Sequence, residues 1–371
     1  MPLKRTLTSI GILAGATIGA GVFTLPYIAN RAGWPLFFLY LVLLGIFVAG
    51  THLLYWRVIE KTGDSARLVG LAKKYLHPAL ARLAFISTIL GLAFTLSIYI
   101  LLGGHFLARV FPLSGDFAAF LFWVGVSIPL LLNLRRFIRV ELFITFLMIA
   151  AVLGVVFIRP ISLSSAPLLE PHDWFFPFGP LLFALAGWTA LEPMVARYQQ
   201  FSATSSRKRG PGPALTIAIG TAVIALIYTL FAFGITKVST QVTADTFTGL
   251  GAVPVWYLIL LFLFGLCAIV TSYLPMSHEV KNTLQEDLHW TRSLALPAVL
   301  FFPYIMILMG LNNFVILVDL VGGVFLALQY LTILLVARRV LQLQGLKRLA
   351  LDVLAVVFLL AIVYQFYYLL G

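Results

Sequence analysis

Two short segments hold the residues with the clearest capacity for chemistry. The first reads Gly15-Ala-Thr-Ile-Gly19-Ala-Gly21-Val-Phe-Thr-Leu-Pro26 and the second Phe183-Ala-Leu-Ala-Gly187-Trp188-Thr-Ala-Leu-Glu192-Pro193. Each lies in an apolar run, and each combines glycine with proline, the two residues that weaken a helix interior. A helix broken there frees backbone groups. Amides near Gly19, Ala20 and Gly21 would open the outer half-helix and aim positive dipole at an anion. Carbonyls of Ala16, Thr17 and Ile18, ending the inner half, suit an ammonium or a cation. A zwitterion such as an amino acid needs both. In the second segment Ala184, Ala186 and Gly187 would supply opposing backbone groups, and Phe183 and Trp188 are large enough to line or cap a side-chain pocket. The bland alternative for the first segment is close helix packing, since Gly11, Gly15 and Gly19 form a small-xxx-small series.

The elements that must position these residues are membrane helices. Of 371 residues, 61% are hydrophobic and only 10% charged, with a mean hydropathy of +1.04. Soluble domains carry about 25% charged residues, so the apolar excess needs lipid. Runs of roughly 20 apolar residues mark spans, and eleven are expected: about 6–30, 34–56, 82–109, 117–134, 138–158, 175–197, 213–235, 253–276, 293–311, 313–337 and 348–370. The longest polar connections, 57–81 and 198–212, are too short for a soluble domain. Residues 1–371 are therefore expected to form a single transmembrane domain. The stretch 277–292 reads as a helical continuation or an interfacial helix. The first run is long and contains the Gly-rich break, so it is expected to be a retained helix, not a signal peptide.

The net charge of +12 follows the same logic. With the N-terminus inside, 21 of the 25 Lys and Arg fall on the inner side, leaving Arg31, Arg109, Arg159 and Lys237 outside. That is the positive-inside pattern, which predicts a cytoplasmic N-terminus and, after eleven spans, an external C-terminus. The basic excess thus speaks for a lipid bilayer and against a nucleic-acid partner. The lone Cys267 excludes an internal disulfide. Short loops suit a prokaryotic inner (plasma) membrane.

The breaks fall in spans one and six, five apart and hence of opposite direction. Two inverted five-helix units are expected, about 6–158 and 175–337, with an extra helix at 348–370. Paired interruptions in two inverted halves point to a secondary transporter whose site lies at the midplane.

The first segment resembles the first-helix signature of amino acid permeases in the amino acid–polyamine–organocation superfamily, and Phe183-Ala-Leu-Ala-Gly-Trp188 is similar to their unwound sixth helix. Tyr99-Ile-Leu-Leu-Gly-Gly104-His-Phe-Leu resembles the third helix of the auxin and aromatic amino acid permease branches. The resemblance implies an all-α, LeuT-type 5+5 fold with helices 1 and 6 broken. It also implies a substrate or gate role for Tyr99. In sodium-coupled relatives an adjacent hydroxyl pair in helix eight joins first-helix carbonyls around sodium. The matching groups are Thr271, Ser272, Gly15 and Ile18, and oxygen-only ligation suits a hard cation. A membrane Ser or Thr also commonly bonds within its own helix. The fifth span lacks the lysine that some proton-coupled relatives place at this site.

Ionisable residues at membrane depth are functional hypotheses. Glu192, one turn past the second break, is read either as a proton-coupling group or as a partner for freed amides. Asp319 is read as part of an outer gate or as water-facing. His52 and His105 are expected to be satisfied interfacial groups, and Glu141 to pair with Arg135, Arg136 and Arg139. No metalloprotease, phosphate-loop or nucleophile motif is present, so an enzyme is not expected and sodium is the one ion considered. The sum predicts a secondary active transporter for a neutral, hydrophobic or aromatic amino acid, coupled to sodium or protons. The alternative is a permease-like receptor that binds without transport. Sequence leaves the oligomeric state undetermined.

Overall fold

The computed structural model describes residues 2–63, 67–131, 150, 154, 174–203, 212–239, 241–250 and 253–370. Most of the expected fifth span, the Arg135–Glu141 cluster and the basic loop around 207–209 lie outside the described residues. Among the described residues the chain is helical apart from one isolated bridge, Ser239 to Leu250.

Helix α1 (Pro2–Thr17) stops at the first glycine-rich segment. A single 3-10 turn, Ala20–Thr24, follows, and then α2 (Leu25–Ala32) with Pro26 in its first turn, where a missing N–H costs nothing. The two halves meet at 59°. Gly33, at φ 78°, turns the chain into α3 (Trp34–Thr62). There follow α4 (Leu68–Tyr75), α5 (Pro78–Val110) and α6 (Gly115–Leu131).

The second break has the same design. Helix α7 (Phe178–Leu185) ends in an extended Ala186, Gly187 begins a 3-10 turn (Trp188–Ala190), and α8 (Leu191–Ala203) resumes. Next come α9 (Pro213–Val238), α10 (Val255–Asn282), α11 (Arg292–Leu308), α12 (Phe314–Leu320), α13 (Ala327–Leu341) and α14 (Gly345–Leu370). A π turn at Thr283–Asp287 prolongs α10, so 277–292 begins as a helical continuation. Another, Val321–Leu326, joins α12 to α13. There Gly322 lets α7 cross at backbone contact: a Cβ on it would fall 1.8 Å from the Gly179 carbonyl oxygen.

Seven described helices are long and apolar enough to span a membrane, eight if the bent pair is one span; Gly115–Leu131 and Arg292–Leu308 are shorter. The expected count of eleven is not reached among the described residues. Burial sorts the helices. The apolar windows of α5 and α7–α8 are 78% and 83% buried, those of α3 and α14 only 33% and 28%. Exposed Leu39, Val42 and Ile46 on α3, and Val353, Val356, Leu360 and Val363 on α14, recur at helical spacing; such stripes are lipid-facing. The broken helices and α5 therefore make the centre.

The two ends differ. At the end rich in Lys and Arg (the basic end), Arg67 pairs with buried Glu279 and with Glu286, while Lys61 donates to the Val340 carbonyl at 2.8 Å. At the opposite end five phenylalanines close the centre. Phe23 lies 4.9 Å from Phe106 and 5.5 Å from both Phe231 and Phe264, and Phe106 lies 4.0 Å from Phe247. Residues 241–250 fold over this plug. Thr246 donates its hydroxyl to the Phe23 carbonyl at 2.6 Å, and Asp245 sits 3.0 Å from His105 and accepts from Thr243 and Thr248. Burial alone would raise the Asp245 carboxyl, but the hydrogen bonds and charge it meets outweigh this and hold it below its ordinary value.

Candidate functional site

At the first break α1 runs out of hydrogen-bonded turns at Thr17, and Gly19 adopts φ −131°, ψ −141°, leaving the helix path. Two hydroxyls from other helices meet the backbone there. Tyr99 of α5 and Ser272 of α10 both set their hydroxyls against Gly19. Ser272 Oγ lies 3.4 Å from the Gly15 carbonyl oxygen and 3.3 Å from that of Ile18. The glycines make room for this. A Cβ on Gly19 would stand 2.5 Å from Tyr99 Oη, and one on Gly21 would stand 2.6 Å from Ala184 Cα in the second break. The two breaks thus touch, backbone against backbone.

The second break is held by side chains of α13. The Trp188 indole N–H donates to Gln329 Oε1 at 2.7 Å, and Gln329 Nε2 donates to the Ser87 carbonyl at 3.0 Å. The Tyr330 hydroxyl lies 2.8 Å from His52 Nε2. His52 is buried, with Nε2 on Tyr330 and Nδ1 without a hydrogen-bond partner, so it is neither interfacial nor fully satisfied as expected.

Between the breaks lies a cavity of about 20 Å³, lined by Thr17, Gly21, Leu92, Thr95, Tyr99, Phe183, Ala186, Trp188, Thr189, Met276 and Leu326. About 10–15 Å³ holds one water, so the space is water-sized. Its walls are aromatic and aliphatic, with few polar groups, the usual make-up of a small-molecule pocket. The Thr95 hydroxyl donates to the Gly91 carbonyl; the buried Thr17 hydroxyl has no partner.

Two interrupted helices, crossing at their breaks around a small aromatic pocket inside a lipid-facing shell, form a transporter's centre. Residues 3–369 match the tryptophan/tyrosine permease family. The chain belongs to that family. It is a transporter and not an enzyme. No curated protein matches it. The permease is similar in fold to MhsT in complex with L-phenylalanine, at 16% identity and a TM-score of 0.65, over 97% of this chain and 98% of the other. It is also similar to the Eremococcus coleocola manganese transporter, at 13% identity and a TM-score of 0.67, over 99% and 88% of the two chains. The fold is the LeuT type that the resemblance implied, with helices 1 and 6 broken.

In this permease the named residues fall into three groups. Thr17, Gly21, Tyr99, Phe183, Ala186 and Trp188 line the cavity. Ile18, Gly19, Ala20, Ala184 and Gly187 form its backbone frame, with Gly187 packed against Thr17. Glu192 lies beyond, at the start of α8, where it accepts the Tyr55 hydroxyl at 3.1 Å. The pair at 271–272 divides: Ser272 faces the first break, while Thr271 donates to the Cys267 carbonyl of its own helix at 2.8 Å. A hydroxyl that gives away its proton keeps lone pairs for a cation. Asp319 is buried and accepts from Gln365 on α14, so the water-facing alternative falls.

Sequence reading passed over Thr95, Leu92, Met276, Leu326, Gln329, Tyr330 and Tyr228. The Gly322-Gly323 pair beside Leu326 was a legible signal for the π turn; the others look like any residue in an apolar run.

Proposed function

We propose that this permease carries an aromatic amino acid by alternating access, with the substrate held between the two breaks. The observation that carries the reading is the small aromatic cavity between two backbone breaks, with Tyr99 and Thr17 at its polar edge. Amides at Ala20 and Gly21 and the Tyr99 hydroxyl would receive the carboxylate. Carbonyls at Thr17 and Ala184 would receive the ammonium, and Phe183, Trp188, Met276 and Leu326 the ring. Among the described residues no charged side chain lines the cavity, which suits a neutral substrate. The family description and the L-phenylalanine in MhsT agree with such a side chain.

Coupling has two candidate seats. Sodium fits the oxygens of Ser272, Gly15 and Ile18, with Thr271 adjacent; its charge would steady the carbonyl end of α1. A proton fits Glu192, which sits next to the pocket residues Trp188 and Thr189 and is met by the Tyr55 hydroxyl. The positive-inside pattern supports a cytoplasmic basic end and N-terminus, an odd number of spans would put the C-terminus outside, and short loops suit a prokaryotic inner membrane.

The test is uptake of labelled amino acids into proteoliposomes, with sodium and proton gradients imposed separately. Accumulation of tryptophan, tyrosine or phenylalanine is expected. Ser272→Ala abolishing sodium stimulation assigns that seat; Glu192→Gln abolishing proton stimulation assigns the other. Binding without any flux, in net or exchange mode, makes the protein a receptor.

A further inference from the structure

One buried group touches both breaks and belongs to neither. Tyr228, in the middle of α9, is fully buried. Its hydroxyl lies 3.0 Å from the Thr17 carbonyl oxygen and 2.6 Å from the Ala184 carbonyl oxygen. Thr17 ends the inner half of the first broken helix, and Ala184 sits in the last turn before the second break. These are carbonyls that a helix leaves without an intrahelical donor at its C-terminal end.

The proton count is informative. A phenol has one proton to donate, and two carbonyls converge on it. At any moment at least one of the two lacks a full donor, although both are buried. Leaving a buried acceptor unserved costs the full desolvation of that group. A fold that tolerates this beside a substrate cavity has prepared a place for another donor. Thr17 and its neighbours Gly21 and Ala186 line that cavity, and among the proposed substrate's groups the ammonium is the one that brings several N–H donors on one centre.

We propose that Tyr228 is a positioning residue for the substrate's ammonium: its hydroxyl holds one carbonyl from each break at a common point, ready to share with the incoming donor. This rests on the amino acid reading above. The hydroxyl does not touch the ring pocket, since Tyr228 is absent from the cavity wall. Its effect is therefore confined to the ammonium end.

The experiment compares two ligands on two forms of the full-length protein. The ligands are the labelled aromatic amino acid and its deaminated analogue (indole-3-propionate for tryptophan), which keeps ring and carboxylate but has no ammonium. Equilibrium binding to purified Tyr228→Phe is expected to weaken about ten-fold for the amino acid, one to two hydrogen bonds' worth. Binding of the analogue is expected to change less than about two-fold. Equal weakening of both ligands, or of neither, in a folded variant overturns the proposal, because a merely structural role does not tell them apart. If Tyr228→Phe does not fold, Tyr228→His, whose ring N–H still donates, replaces it; retained preference for the amino acid over the analogue is expected, and lost preference overturns the proposal. Failure of both variants to fold would assign the hydroxyl to folding alone and equally overturn it. A wild-type protein that binds no amino acid would instead remove the functional reading on which the proposal rests.

Discussion

The two breaks have the same sequence logic, a small-residue run followed by proline, yet they are held in different ways. The first is held at the backbone. The Ser272 hydroxyl reaches Gly15 and Ile18, the Tyr99 hydroxyl lies against Gly19, and Gly21 lies against Ala184 with no room for a Cβ. The second is held through side chains. Trp188 hangs on Gln329, which in turn is tied to the Ser87 carbonyl. On the proposed reading, a surface made of amides, carbonyls and hydroxyls would recognise what all amino acids share, and a surface made of Phe183, Trp188 and their supports would recognise what distinguishes them. The common and variable parts of a substrate would then be divided between the atoms that fix each break.

The sharpest way to break this comparison is steric. Gly21→Ala drives a methyl into the Ala184 backbone at 2.6 Å, and backbone cannot rotate away. Overpacking costs about 1–3 kcal/mol, so uptake is expected to fall up to about 100-fold for every substrate, as measured by initial rates against thermal unfolding. Gly187→Ala meets instead the Thr17 hydroxyl at 2.1 Å, the end of a side chain. A loss of about ten-fold is expected, relieved in the Gly187→Ala, Thr17→Ala double variant; a double-mutant cycle reads the coupling. The same cycle between Gly21→Ala and Thr17→Ala should show none.

Selectivity sharpens the comparison with a smaller effect. Trp188→Phe deprives Gln329 of its indole donor while leaving the first break untouched. The KM ratio between tryptophan and phenylalanine is expected to shift several-fold, up to about ten-fold for one hydrogen bond, with Vmax nearly unchanged. A uniform fall in Vmax would place Trp188 in the moving parts and not in the ring pocket.

The smallest effect is expected far from both breaks. Asp245 is held below the ordinary carboxylate range, so its contribution to the closed loop is fully present above that range and fades only as pH falls through its lowered value. At neutral pH Asp245→Asn is expected to lose part of the loop's protection from proteolysis, read by limited proteolysis of wild type and variant side by side.

How far these arrangements were legible follows from their physics. Glycine and proline announce a break because they act on the local backbone, and the +12 charge announces sidedness because lysines and arginines favour one side. The framing residues Gly19, Gly21 and Gly187 were readable for that reason. Tyr228, Tyr330 and Gln329 were not. Each lies in an apolar helix where a lipid-facing and a centre-facing residue look alike, and its partner is more than 140 residues away or, for the Tyr228–Ala184 pair, 44. Periodicity tells that a helix has faces; it does not tell which distant carbonyl one face will meet. Thr271 shows the opposite case, in which an adjacent hydroxyl pair suggested one role and the helix sent the two side chains to different partners.

The phenylalanine plug over the cavity has a thermal consequence. Phe23, Phe106, Phe231, Phe247 and Phe264 are all almost completely buried, so opening that end wets aromatic surface, and hydrating apolar area raises heat capacity. The half-cycle that opens the plug should therefore carry a positive heat capacity of activation and a curved Arrhenius plot. The half-cycle that opens the basic end, where Arg67, Glu279 and Glu286 part instead, should run much closer to a straight line.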